Sequence, residues 1–132
     1  MPMVSKCATC HSGELFTDNS FRNNGISDSS SFDTGRMQIS TFLSDKYKFR
    51  VPSLRNVAKT PPYMHNGSIG TIDNVLEFYN SGVKQSPNLD TLLLQNSKRG
   101  IPLSADEMAK LKAFLLTLTD EEFIRNPLFQ PF

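Results

Sequence analysis

The sequence predicts an all-α fold with long loops. Two capped amphipathic segments carry that reading, one opening at Thr71 and a stronger one at Ser104. No stretch alternates apolar and polar residues far enough to make a convincing sheet. Residues 12–35 are polar and turn-rich, and loops of that length are unusual in a compact domain unless something other than protein fills its centre. At 132 residues the chain is sized for one domain, 1–132, with a modest core.

The first element is chemical rather than conformational. Cys7-Ala8-Thr9-Cys10-His11 is a C-x-x-C-H run, and it uses both cysteines of the chain. Two thiols at this spacing can add across the vinyl groups of a haem, and the following histidine then becomes the axial ligand of the iron. The residues leave other readings that fit less well. A dithiol redox motif needs a βαβ context, which the sequence lacks. A zinc site could draw on Cys7, Cys10, His11 and His65, but adjacent ligands crowd one metal. A Cys7–Cys10 disulfide would close a very short, strained loop. Covalent haem is therefore the expected cofactor, and a cytochrome c-like domain the expected form of the all-α fold.

The chain reaches this motif within a few residues of Met1, with no apolar export signal before it and no room for a full preceding helix. Haem joins such motifs outside the cytoplasm in bacteria. The expectation is a piece of a longer exported protein with its N-terminal helix truncated; made in the cytoplasm, it would not receive its haem. A formal charge of +1 with 20% charged residues gives no nucleic-acid footprint, and no stretch could span a membrane. Ten phenylalanines and no tryptophan suit the wall of an apolar pocket, and an ordinary core equally well.

The later elements follow from local chemistry. Asn23-Asn24-Gly25 and Ser27-Asp28-Ser29-Ser30-Ser31 are turn residues, and a short helix is expected over 35–44. Residues 48–57 read as extended chain or a single helical turn after Pro52, and Pro61-Pro62 is a rigid break. Thr71 caps a helix whose apolar face is Ile72, Val75, Leu76 and Tyr79, ending at Gly82. Ser104-Ala105-Asp106-Glu107 is a capping box, followed by the stripe Met108, Leu111, Phe114, Leu115 and Leu118. A second capping box, Thr119-Asp120-Glu121-Glu122, opens a short helix ending before Pro127, and an extended aromatic tail closes the chain.

A six-coordinate haem needs a second axial ligand. Tyr79, a hard anionic donor, would favour ferric iron; Met64, a soft one, would raise the reduction potential. Each has a plainer reading, Tyr79 completing its helix face and Met64 filling a gap in the core. Met108 lies on the apolar stripe of its own helix and reads as core. Arg50 and Arg55 are candidates to pair with haem propionates, Arg55 the better because Leu54 and Val57 place it in an apolar segment.

Phe49 to Val57, Thr60-Pro61-Pro62-Tyr63-Met64-His65-Asn66-Gly67-Ser68 and Val75 to Gly82 together resemble the C-terminal haem domain of bacterial di-haem cytochrome c peroxidases and MauG-like proteins. Gly13 to Phe21 and the closing Leu118-Thr119-Asp120 and Asn126-Pro127 are similar too, so the likeness runs from Cys7 nearly to Phe132. The resemblance implies thioethers at Cys7 and Cys10, His11 as proximal ligand, and His65 close to the haem without binding its iron. The peroxidases place a methionine ligand where this chain has Tyr79; MauG-like members use tyrosine there. Thr60 and Pro62 match positions whose backbone carbonyls hold a calcium ion between two domains.

The resemblance further implies a periplasmic oxidoreductase of which this chain is the C-terminal domain. It would pass electrons from a small cytochrome or copper protein to a peroxide-reacting haem in an N-terminal domain, and the full-length protein would be a homodimer. With both axial positions filled, the isolated domain is expected to have little peroxidase activity. A mono-haem electron carrier is the alternative, which a second C-x-x-C-H upstream would exclude. A haem-free metal-binding or interaction module is a third reading.

Overall fold

The computed structural model describes residues 4–27, 31–95 and 97–129, with the side chains of Val4 and Ser5 left aside. Asp28-Ser29-Ser30 and the tail end Gln130-Pro131-Phe132 lie outside the described residues. In chain order the elements are α1 (Val4–Cys10), β1 (Phe21–Arg22), α2 (Met37–Ser40), β2 (Phe49–Arg50), α3 (Ile72–Glu77), β3 (Leu94–Gln95), β4 (Lys98–Arg99), α4 (Ala105–Thr117) and α5 (Glu121–Arg125).

The fold is not all-α. Two small antiparallel sheets pair Phe21 with Arg50 and Arg22 with Phe49, and Leu94 with Arg99 and Gln95 with Lys98. Strands of two residues are too short to carry a period-2 pattern, so the sequence does not announce them. The first sheet joins segments far apart in the chain and fixes the polar loop after α1 against the stretch leading to Pro52. The long loops expected from composition are present around and between these pairs.

The caps behave as their residues require. Thr71 accepts a hydrogen bond from the Asn74 N–H at 3.1 Å. Ser104 and Glu107 complete a reciprocal capping box, the Glu107 N–H donating to the serine hydroxyl at 3.3 Å and the Ser104 N–H to the glutamate at 2.9 Å. At α5 the cap is Asp120, which accepts from the Phe123 N–H at 2.9 Å; the capping motif expected at Thr119 is thus shifted by one residue. The helix expected over 35–44 breaks after Ser40, where Thr41 adopts φ 63°, and resumes as a 3-10 turn, Leu43–Asp45. The tail expected to be extended forms a 3-10 turn at Pro127–Phe129, with Phe129 stacked on Phe123 at 4.8 Å.

The core lies on one side of α3. Phe78, Val83, Leu89, Leu93 and Ile101 form its buried centre, and Cys7, Ile26, Met64, Ile69, Tyr79 and Leu103 pack around it. Helix α4 lies against α3 and the Val57–Lys59 turn, held in part by Lys112 and Asp73 at 2.7 Å. Its apolar stripe was expected to be core, yet no residue of α4 is buried, and Phe114 is 46% exposed. Periodicity reports that a face is apolar; it does not say what covers it.

Candidate functional site

The C-x-x-C-H motif spans the end of α1. The His11 N–H closes the last turn on the Cys7 carbonyl at 2.9 Å, and the Cys10 carbonyl accepts the Asp18 N–H at 2.8 Å. Both cysteines stand as free thiols and are half-buried. Among the described residues no three of His, Cys, Asp or Glu gather as a metal site. Burial pushes both thiols above the ordinary cysteine value; at Cys10 the nearby Arg22 guanidinium opposes that shift.

His11 is oriented by the loop that follows it. Its Nδ1 lies 3.0 Å from the Phe16 carbonyl, an acceptor only, so Nδ1 carries the proton and Nε2 keeps its lone pair. Burial lowers its pKa against the opposing pull of the Phe16 and Pro52 carbonyls, favouring the neutral ring. A neutral imidazole with one nitrogen tied to a backbone carbonyl is the form in which histidine binds a metal.

Tyr79 lies at the edge of the core, among the partly buried residues packed against it. Helix α3 does not continue to Gly82 as a regular α-helix: from Phe78 to Gly82 it widens into a π-turn, with Tyr79 its second residue. Such turns re-aim side chains and recur at functional sites. The Tyr79 carbonyl accepts the Ile101 N–H at 2.7 Å, and the Asn80 side chain accepts the Leu103 N–H at 2.9 Å, so the 100–103 segment after β4 clamps the turn. Burial raises the phenol's pKa, a hydrogen bond from Asn24 opposes the rise, and Cys7 and Cys10 lie close enough to add to it. Tyr79 thus packs on the same cluster as Cys7, with both thiols near enough to act on its phenol.

Met64 shares this space. It packs on the same core cluster as Cys7 and Tyr79, and Asn24 Nδ2 lies 3.4 Å from both the Met64 sulfur and the Tyr79 hydroxyl. Asn24 is the residue that sequence reasoning missed. Followed by glycine, it reads as a turn residue, and nothing in its local pattern points to a site.

The other candidates lie elsewhere. His65 stacks on Phe49 with ring centroids 3.5 Å apart, and its Nε2 is 3.9 Å from Asp33. Its side chain is 15% exposed, and burial lowers its pKa while Asp33 raises it. Arg55 is exposed, its Nε donating to the Glu14 carbonyl at 2.8 Å, so it braces the loop carrying Phe16. Arg50 is exposed on β2. Thr60 and Pro62 are exposed, with the Thr60 N–H and hydroxyl both directed at the Val57 carbonyl. Met108 is half-buried on α4.

A charged brace supports the motif from behind. Arg22 binds Asp90 at 2.9 Å and Asp18 at 3.0 Å and donates from Nε to the Ser20 hydroxyl at 2.8 Å. Hydrogen bonds from the Ser20 hydroxyl and N–H, with Arg22 adding to them, hold the Asp18 carboxyl down at about 2. Its folded pKa lies below the unfolded value near 3.9, so its stabilisation is present above pH ~4 and is lost as the pH falls towards ~2. Acid titration followed by circular dichroism should show that loss in the parent chain and a shallower one in Asp18→Asn.

The residues present fit a haem by three independent features. A neutral His11 is aimed by a backbone carbonyl, a partly buried tyrosine packs on the same cluster as Cys7, and the apolar stripe of α4 is only half-covered by protein.

No protein-family model matches the chain. MauG, the methylamine utilization protein of Methylorubrum extorquens, is 34% identical over 115 residues, covering 87% of this chain and 31% of that protein. The cytochrome-c peroxidase IdrP2 of Denitromonas iodatirespirans is 32% identical, covering 87% of this chain and 36% of its own. The chain therefore spans about a third of the length of these curated relatives. Among solved structures, a MauG-like protein associated with microbial copper homeostasis superposes with a TM-score of 0.78 at 32% identity, over 96% of this chain and 46% of that one. The diheme peroxidase BthA of Burkholderia thailandensis shares the fold, with a TM-score of 0.72 at 24% identity over 89% of this chain and 40% of its own. Over most of its length, the chain is a homologue of MauG and the di-haem cytochrome c peroxidases.

Proposed function

We propose that this chain is the C-terminal haem domain of a periplasmic di-haem oxidoreductase of the MauG and cytochrome c peroxidase kind. The observation that supports the reading is a neutral His11, held by the Phe16 carbonyl at the end of α1, with Tyr79 packed on the same core cluster as Cys7. In this reading Cys7 and Cys10 would hold a haem by thioethers, and His11 and Tyr79 would be the ligands to its iron. The haem supplies reversible one-electron chemistry. The chain supplies the rest: Phe16 fixes the imidazole, the π-turn aims the phenol, and the core around Phe78 and Ile101 excludes water. His65 on Phe49 tunes the surroundings without touching iron, and Arg55 steadies the Glu14–Phe16 loop next to the proximal ligand.

The chain would relay electrons from a small cytochrome, copper protein or substrate protein to a peroxide-reacting haem domain N-terminal to it. Tyrosine in place of methionine favours the ferric state and sets this chain with the MauG-like members. The backbone carbonyls of Thr60 and Pro62 would contribute to a calcium site completed by that second domain.

The experiment is export-directed expression with haem maturation. Under denaturing conditions the intact mass should include one haem, and a Cys7→Ala, Cys10→Ala double variant should lose it. The ferric absorption and magnetic-resonance spectra should change spin state in Tyr79→Phe. A haem that dissociates on denaturation, or a spectrum indifferent to Tyr79→Phe, would overturn the assignment.

A further inference from the structure

We infer that Asn24 is a positioning residue that holds the Tyr79 oxygen and the Met64 sulfur with one amide and so sets which of them the iron meets. The inference rests on the haem reading above and adds a residue to it.

The amide's orientation is fixed by the turn. Asn24 Oδ1 accepts the Ile26 N–H at 3.2 Å, so the NH2 group must point the other way. Its two hydrogens meet two different acceptors, Tyr79 Oη and Met64 Sδ, each 3.4 Å from Nδ2. That distance is ordinary for a sulfur acceptor and long for an oxygen one. It leaves the phenol room to move while still under the donor's influence.

The frame around the amide is rigid. Asn23 beside it is 1% exposed, and Gly25 has φ +77 and sits where a Cβ would fall 2.7 Å from Val83. Met64 holds its own place at φ 71°, in the loop closed by the Tyr63–Ile69 bridge. The donor is therefore delivered by a turn that cannot relax, to two side chains from two other segments.

The chemical consequence is direct. A hydrogen bond donated to a phenol oxygen withdraws electron density from it, making it a weaker donor to ferric iron. The same amide keeps the thioether sulfur engaged and away from the iron. Without Asn24, Tyr79 becomes the stronger donor and Met64 is released to compete.

The test is the midpoint potential and ferric spectrum of the haem-loaded protein carrying Asn24→Leu. A second variant, Asn24→Ser, keeps an oxygen to receive the Ile26 N–H but is too short to reach Tyr79. Loss of the donor should favour the ferric form roughly tenfold, a fall of about 59 mV in a one-electron couple. Asn24→Gln, which retains an amide donor, should recover part of the shift. In the Tyr79→Phe background the Asn24 substitutions should no longer favour the ferric form, because releasing the Met64 thioether can there only raise the potential. Equal potentials in the parent, Asn24→Leu and Asn24→Ser, with Tyr79→Phe still changing the spin state, would overturn the role of Asn24 and leave the haem assignment standing. A spectrum unmoved by Tyr79→Phe would overturn the ligand assignment itself, and this inference with it.

Discussion

Gly100→Val should destabilise the chain by roughly 3–5 kcal/mol, seen as a lowered denaturant midpoint and a thermal midpoint down by about 10–20 °C. Two effects act at once. Gly100 has φ +95°, a conformation that strains any L side chain and a β-branched one most. Even a Cβ there would lie 2.7 Å from the Tyr79 carbonyl oxygen and 2.9 Å from that of Asn80. Those atoms are backbone, and the neighbouring Ile101 N–H already binds the Tyr79 carbonyl at 2.7 Å, so neither side can give way alone. The clash falls on the turn that aims the phenol, and near-ultraviolet circular dichroism from Tyr79 and Phe78 should change with stability. Gly70 supplies the control: a Cβ there meets nothing within 4 Å, and Gly70→Ala should stay within about 0.5 kcal/mol of the parent. Equal losses at the two glycines would sink the argument.

Asn23→Ala should be comparably severe, roughly 3–5 kcal/mol in equilibrium unfolding. The Asn23 side chain donates to the Ser86 hydroxyl at 2.9 Å and to the Pro87 carbonyl at 2.7 Å, and accepts the Gly25 N–H at 2.9 Å. Ser86 is 3% exposed, so truncation leaves its hydroxyl and two backbone groups short of partners where water cannot easily replace them. Asn23→Asp separates packing from hydrogen bonding. It keeps the shape and the acceptor for Gly25 but turns an oxygen towards the Pro87 carbonyl, and it should still lose most of the stability at neutral pH. Near-parental stability in Asn23→Asp would mean that the donated bonds contribute little.

What the sequence made legible was local. Cys7, Cys10 and His11 declare their chemistry by spacing, and Thr71 and Ser104 cap helices because each hydroxyl needs only a backbone N–H three residues on. The first sheet was invisible because Phe21 and Arg22 meet Arg50 and Phe49 across a long separation through only two residues each. The π-turn was invisible because one extra residue in a turn leaves no mark on composition, so Tyr79 was read in register with an ideal helix. His65 and Met64 are adjacent in sequence, yet one stacks on Phe49 and the other faces Asn24; Met64 at φ 71° turns the chain between them. Asn24 was missed for a related reason: its oxygen serves the turn, and only the fold reveals what its nitrogen serves.

In the proposed reading, the half-exposed stripe of α4 has a consequence for the life of the protein in the cell. A helix whose apolar face finds its cover in a bound group belongs to a folding equilibrium that the group's supply controls. A freely dissociating ligand would make that control depend on its concentration at every moment. Thioether bonds at Cys7 and Cys10 would instead make it a single irreversible event. Chains that miss the event would keep Phe114 and its neighbours on display to proteases and to one another, and chains that pass it could not revert on dilution. Maturation would then act as the proofreading step, sorting folded copies from discarded ones before any electron moves.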